Sequence, residues 1–130
     1  MKAAVRYYSR SGNTRALAEA IAKGAGTEAV SVDKVEAVLN EEVDVLFIGG
    51  ALYAYGLDGN LKKYLQTLKK DQVKKAVVFS TSWLSKHSID LIRKGLTEAG
   101  IPVETEYFYA KNRPSDTELK EAETFAKKFL

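Results

Sequence analysis

Apolar runs and helix-spaced apolar positions alternate from one end of the chain to the other. Ala3 to Tyr8 is a short apolar and aromatic run that predicts a first strand. From Ser11 to Lys23 the spacing turns helical, with Leu17, Ala20, Ile21 and the adjoining Gly24 on one face. Ala29 to Val32 is a brief β-rich stretch, and Asp33 to Leu39 a short helix or turn with Asp33 as its N-cap. Val43 to Ile48 is an unbroken apolar strand save for Asp44, and it runs into Gly49-Gly50.

The second half repeats the alternation. Gly59 to Lys70 places Leu61, Tyr64, Leu65 and Leu68 on one stripe opposite a lysine-rich face. Ala76 to Ser80 predicts a strand, Ser88 to Ala99 a helix with Ile89, Ile92 and Leu96 inward, and Gly100 its C-cap. Val103 to Tyr109 predicts a last strand. Ser115-Asp116-Thr117-Glu118, after Pro114, has the spacing of a capping box for a final helix that buries Leu119, Ala122, Phe125, Ala126 and Phe129.

Five strands alternating with helices imply parallel βαβ units with helices on both faces of one sheet. The continuous apolar strands fit a sheet covered on both sides. With no linker, repeat or low-complexity stretch, residues 1–130 are expected to form a single doubly wound α/β domain. Ligands of such sheets sit beyond the carboxyl ends of the strands. The loops to read are therefore Ser9–Thr14, Gly49–Asn60, Ser80–Ser88 and Ala110–Pro114.

The first of these is the most informative. Ser9-Arg10-Ser11-Gly12-Asn13-Thr14 offers three hydroxyls, an amide side chain, a glycine and the orphan N–H groups of a helix start, with no acid among them. That chemistry suits a phosphate monoester, since backbone donors and the helix dipole both favour an anion there. The same residue types are preferred at an ordinary helix start, so composition leaves both readings standing. The loop lacks the Gly-Lys-Ser/Thr ending of a P-loop and the glycines of a dinucleotide fingerprint. A low-molecular-weight tyrosine phosphatase would need a cysteine here. A phospho-receiver domain would need acids where Tyr8-Ser9 and Gly49-Gly50 stand.

Composition narrows the chemistry further. The chain has 130 residues, 45% hydrophobic and 28% charged, as in an ordinary globular protein. Having no cysteine excludes thiol nucleophiles, thiolate metal sites and redox disulfides, and a single histidine, His87, argues against a zinc site. Met1 to Tyr8 is too short an apolar stretch for a signal peptide, and no apolar run is long enough to span a membrane, so the cytoplasm is expected. A net charge of +3 is too small an excess to argue for nucleic acid.

Tyr8-Ser9-Arg10-Ser11-Gly12-Asn13-Thr14 resembles the FMN-phosphate loop of the flavodoxin family, whose pattern is Thr/Ser-x-Thr/Ser-Gly-x-Thr. Asp44-Val45-Leu46-Phe47-Ile48-Gly49 is similar to the family's third strand, and Gly50 to Tyr53, with Ala51 and Leu52, to its first flavin-flanking loop. The resemblance runs through the whole chain in element order. It implies a five-stranded parallel sheet of order 2-1-3-4-5, with FMN held by Ser9, Arg10, Ser11, Gly12, Asn13 and Thr14 at its phosphate. It further implies that Tyr53, or Tyr55 two residues on, covers one face of the isoalloxazine, and that Thr81, Ser82 and Trp83 meet its other side or its pyrimidine edge. Three departures stand out. The family often has proline where Ala51 stands, its second flavin loop usually carries Asp-x-x-Tyr, and its flavin surroundings are acidic, whereas this chain is basic.

The function so implied is an FMN-binding electron carrier, monomer or weak dimer, serving redox partner proteins. The alternatives are a flavodoxin-like oxidoreductase acting on a quinone or porphyrinogen, and a flavin-free module of the same fold. In the presumed flavin loops Arg10, Lys86 and His87 stand against one acid, Asp58. The local field is thus expected to be neutral to positive, making a bound flavin easier to reduce than in acidic relatives and favouring acidic partners.

Overall fold

The computed structural model describes residues 1–53, 56–82 and 85–130. In chain order the elements are β1 (Ala3–Tyr7), α1 (Asn13–Ala25), β2 (Ala29–Ser31), a 3-10 turn (Val35–Ala37), β3 (Val43–Gly50), β4 (Leu52–Tyr53) and β5 (Gly56–Leu57). They continue with α2 (Gly59–Thr67), β6 (Val73–Thr81), α3 (His87–Glu98), β7 (Val103–Ala110) and α4 (Asp116–Lys127).

Five strands pair in parallel in the order β2-β1-β3-β6-β7, the expected 2-1-3-4-5 once the short pair β4–β5 is set aside. β3 is apolar on both faces because both are buried. Leu46 and Ile48 pack with Val78, Leu61, Leu65, Ile92 and Leu96 beneath α2 and α3. Val45 and Phe47 pack with Val77, Phe79, Leu17, Ile21, Phe125 and Phe129 beneath α1 and α4. At about 1.5–3 kcal/mol for each large side chain removed from water, these two layers dominate the fold's stability.

Register decides where the loops emerge. Tyr7 pairs with Gly49, Gly50 with Ser80, and Thr81 with Ala110. The turns after β1, β3, β6 and β7 therefore leave the sheet at nearly one level. Gly49 and Gly50 serve packing there. A Cβ on Gly49 would fall 2.3 Å from the Phe79 ring, and one on Gly50 2.4 Å from Leu61. Gly24 does the same between helices, where a Cβ would fall 2.1 Å from the Glu123 carbonyl oxygen of α4.

Three local expectations need correction. The stretch Gly49–Asn60 is not all loop, because Leu52 pairs with Leu57 and Tyr53 with Gly56 in a small antiparallel hairpin. Asp33 caps nothing: its carboxylate accepts the Ser31 hydroxyl, and the short turn begins after Lys34 without a side-chain cap. That segment is fastened instead by the Ala37 carbonyl, which accepts both Arg6 Nε at 2.8 Å and the Tyr64 hydroxyl at 2.6 Å. Finally, α2 ends at Thr67 and not at Lys70, because Leu68 is already extended. The capping box forms as expected, with the Ser115 Oγ accepting the Glu118 N–H and the Glu118 carboxylate accepting the Ser115 N–H.

β7 is one edge of the sheet. The Arg93 guanidinium donates to the backbone carbonyls of Glu104 and Thr105 on it. The side chains of Glu104 and Glu106 pair with Lys75 at 3.7 Å and Lys128 at 2.5 Å. Among the described residues no helix is long and apolar enough to cross a membrane.

Candidate functional site

The loop from Ser9 to Thr14 is bent by Gly12, whose φ of +94° puts it in the left-handed region where glycine alone is unstrained. Gly12 is the N-cap of α1 and, having no side chain, makes no capping bond to the amides further into the helix. There is no acid in its first turn. The Ser9 Oγ accepts the Gly12 N–H at 3.0 Å and the Ser11 Oγ accepts the Asn13 N–H at 3.4 Å. Both hydroxyl protons are thereby left to point elsewhere. The N–H groups of Thr14 and Arg15 have no intrahelical partner by the geometry of a helix start. Donors, a positive helix end and open space beside Gly12, where an added Cβ would meet nothing within 4 Å, together make a seat for an anion.

Thr14 is placed differently from its loop neighbours. It is buried, and its Oγ1 lies 2.6 Å from the Oγ1 of Thr81, also buried. The two hydroxyls tie the first loop to the end of β6. Asn13 makes a second tie, its amide donating to the Asn112 side chain at 3.2 Å. Asn112 holds a left-handed φ of 60°, a conformation asparagine tolerates better than most residues. Ser82 is buried too, and its carbonyl accepts the Tyr109 hydroxyl. Ser80, below it, bonds the Gly50 carbonyl at 2.5 Å and Ser88 Oγ at 2.6 Å. Four loops are thus laced together by short polar side chains.

Tyr53 stands over the first loop. Its hydroxyl accepts the Arg10 N–H at 3.3 Å, and the Arg10 guanidinium carbon lies 3.8 Å from the centre of its ring. Arg10 Nε and Nη2 both donate to Asp58 Oδ2, at 2.9 and 2.5 Å. The other Asp58 oxygen caps α2, accepting the Asn60 N–H at 2.8 Å and its side-chain amide at 3.0 Å. Burial pushes the Tyr53 phenol up from its ordinary pKa, with the Arg10 amide and guanidinium pulling it partly back. For Asp58 burial also acts upward, but the Asn60 N–H, the Arg10 guanidinium and the Asn60 amide outweigh it and hold the carboxyl below the usual range.

A depressed carboxyl gives a signed pH dependence. The stabilisation from this pair is fully present above the unfolded aspartate's value of about 3.9 and is lost as pH falls through the lower folded value. Urea midpoints of wild type and Asp58→Asn should differ at neutral pH and draw together in acid, at a pH below the unfolded aspartate's value. A constant difference down the acid limb would show that Asp58 does not titrate in the fold as described.

Ser9, Arg10, Ser11, Gly12, Asn13 and Thr14 are brought together with Ala51, Leu52, Tyr53, Thr81 and Ser82 at one end of the sheet. Tyr55 and Trp83 lie outside the described residues. Asp58 and Asn112 were not expected as site residues. The Asp-Gly-Asn start of α2 marks Asp58 as a cap, but no sequence signal pairs it with Arg10. The one acid counted among these loops is thus spent on Arg10, which leaves the sum of charges as the sequence has it. Lys86 turns to β7, 3.5 Å from the Tyr107 hydroxyl and over the rings of Tyr107 and Tyr109 at 5.6 and 5.4 Å.

Compared with known protein families, residues 4–125 match the flavodoxin domain. The chain belongs to the flavodoxin family. It is 27% identical to an uncharacterized protein of Methanocaldococcus jannaschii, over all of this chain and 99% of that one. Its fold is like that of a flavodoxin from the domain Archaea, at a TM-score of 0.79 and 24% identity, covering 99% of this chain and 96% of that one. It is also like rubredoxin oxygen:oxidoreductase from Desulfovibrio gigas, at a TM-score of 0.81 and 18% identity, covering 98% of this chain but 35% of that one. Flavodoxins are flavoproteins of electron transport, which sets the class of function.

Proposed function

We propose that this flavodoxin is a cytoplasmic electron carrier whose resident cofactor is FMN. The observation that carries the reading is the acid-free, glycine-capped start of α1, wrapped by a hydroxyl-bearing loop and standing beside Tyr53. Ser9 and Ser11 would offer hydroxyl protons to the phosphate, Gly12 would let the backbone approach it, and the amides of Thr14 and Arg15 would face its charge. Asn13, Thr14 and Thr81 would brace that loop through their side chains, Ala51 and Leu52 would shape the hairpin beside the ring, and Ser82 would border its edge. Tyr53 would stack on one face of the isoalloxazine, an arrangement in which aromatic systems gain beyond simple area burial.

Bound FMN supplies the one- and two-electron chemistry, and the protein supplies binding, orientation and field. The exposed Lys86, Lys111 and Arg113 lie on loops at the same end and support acidic redox partners through charge steering. The test is titration of flavin-stripped protein with FMN, followed by absorption and emission. A saturable complex with shifted flavin bands and quenched emission is expected. Titration with neither change would overturn the reading in favour of a flavin-free module.

A further inference from the structure

We infer that Arg10 serves the flavin through Tyr53 and not through the phosphate: it is a positioning residue whose planar guanidinium, pinned by Asp58, fixes the ring on which the isoalloxazine stacks. The inference rests on the FMN reading above.

Arg10 sits in the middle of the phosphate loop, where a cation would ordinarily be read as a phosphate ligand. Its side chain is committed elsewhere. Two of its N–H groups converge on Asp58 Oδ2, and its carbon lies 3.8 Å from the Tyr53 ring centre. The backbone N–H of the same residue holds the Tyr53 hydroxyl. One residue therefore fixes both the polar end of the ring and one of its faces.

Charge argues the same way. The Arg10 side chain is 56% exposed, but that of Asp58 is only 9% exposed, so the carboxylate is the desolvated partner. Swinging Arg10 onto a phosphate would leave a buried carboxylate without its cation, a costly arrangement. A guanidinium already matched by a carboxylate also has little net charge to offer an anion. With Arg10 against one face of a half-buried ring, the opposite face is the one left for the isoalloxazine. The role requires a plane as well as a charge, which arginine has and lysine lacks.

The experiment compares wild type, Arg10→Ala, Arg10→Lys and Asp58→Asn. Each is titrated with FMN and with riboflavin, and the residual emission of each saturated complex is read. Asparagine at 58 keeps an oxygen to cap α2, so that variant retains the helix start. Arg10→Ala should weaken FMN and riboflavin by the same factor, about tenfold, and raise the emission of both complexes. Asp58→Asn should act in the same direction, and Arg10→Lys should not restore wild-type emission.

Loss of FMN affinity alone in Arg10→Ala would make Arg10 a phosphate ligand and overturn the inference. Tighter FMN binding in Asp58→Asn would do the same, because a freed guanidinium would then be reaching the phosphate. Tighter binding of either flavin to Arg10→Ala would place the guanidinium in the flavin's own seat. Full rescue by lysine would show that charge suffices. Wild type that binds neither flavin overturns the FMN reading and this inference together. Wild type that binds FMN alongside variants that bind equally well overturns the inference only.

Discussion

Riboflavin is expected to bind at least about 100-fold more weakly than FMN, a difference of about 2.7 kcal/mol. The two ligands share the isoalloxazine and the ribityl chain, so Tyr53 and the hairpin treat them alike. They differ in the phosphate, which the Ser9–Thr14 loop would engage. Hydrogen bonds to a charged group contribute about 1.5–3 kcal/mol each, so losing two already reaches the stated factor. The dipole of α1 adds about 0.3–1 kcal/mol, or more where the site is partly buried. Bonds from Ser9 and Ser11 should be effective because each oxygen already accepts a backbone N–H, which polarises its own proton toward an anion. Dissociation constants measured by fluorescence for both ligands decide the matter. Comparable values would remove the loop from phosphate recognition, and failure of inorganic phosphate to compete with FMN would point the same way.

Gly24→Ala should destabilise the fold by about 2 kcal/mol, although alanine is the better helix former. Inside a helix, replacing glycine by alanine ordinarily stabilises by about 1 kcal/mol. Here the new Cβ would lie 2.1 Å from the Glu123 carbonyl oxygen and within 2.9 Å of its Cα, both backbone atoms of α4. No rotamer relieves contacts with backbone. The helices must separate, which loosens Leu17, Ile21, Ala122, Phe125 and Ala126 in the layer they share. Overpacking costs about 1–3 kcal/mol and more where backbone must move, so the clash outweighs the propensity gain. Urea unfolding of the flavin-stripped protein measures the balance. A midpoint equal to or above wild type would mean that α1 and α4 adjust more easily than their contact implies.

The elements were legible where burial wrote a period into the chain. β3 and β6 read as unbroken apolar runs because the sheet is covered on both faces, and α1 and α4 carried their buried stripes openly. β4 and β5 were not legible, since two-residue strands leave no period to detect. Asp33 looked like a cap because capping residues also favour turns, and its carboxylate went to Ser31 instead. At the candidate site, hydroxyls, glycine and the absence of acids single out the first loop, although the same residue types also suit an ordinary helix start. The partner of Arg10 was hidden, because Asp58 lies 48 positions away and meets it only through the register of β1 and β3. Counting charges along the sequence includes Asp58 but cannot say which cation it meets, and the fold assigns it to Arg10.

The Arg93 contacts on β7 bear on how the edge of the sheet meets other strands. An edge strand exposes carbonyls and amides that can template another strand, and so invites aggregation. On β7 a newcomer would have to evict a guanidinium from two backbone carbonyls. The opposite edge, β2, offers only three residues to pair with. Both edges of the five-stranded sheet are thus poor templates for β-addition.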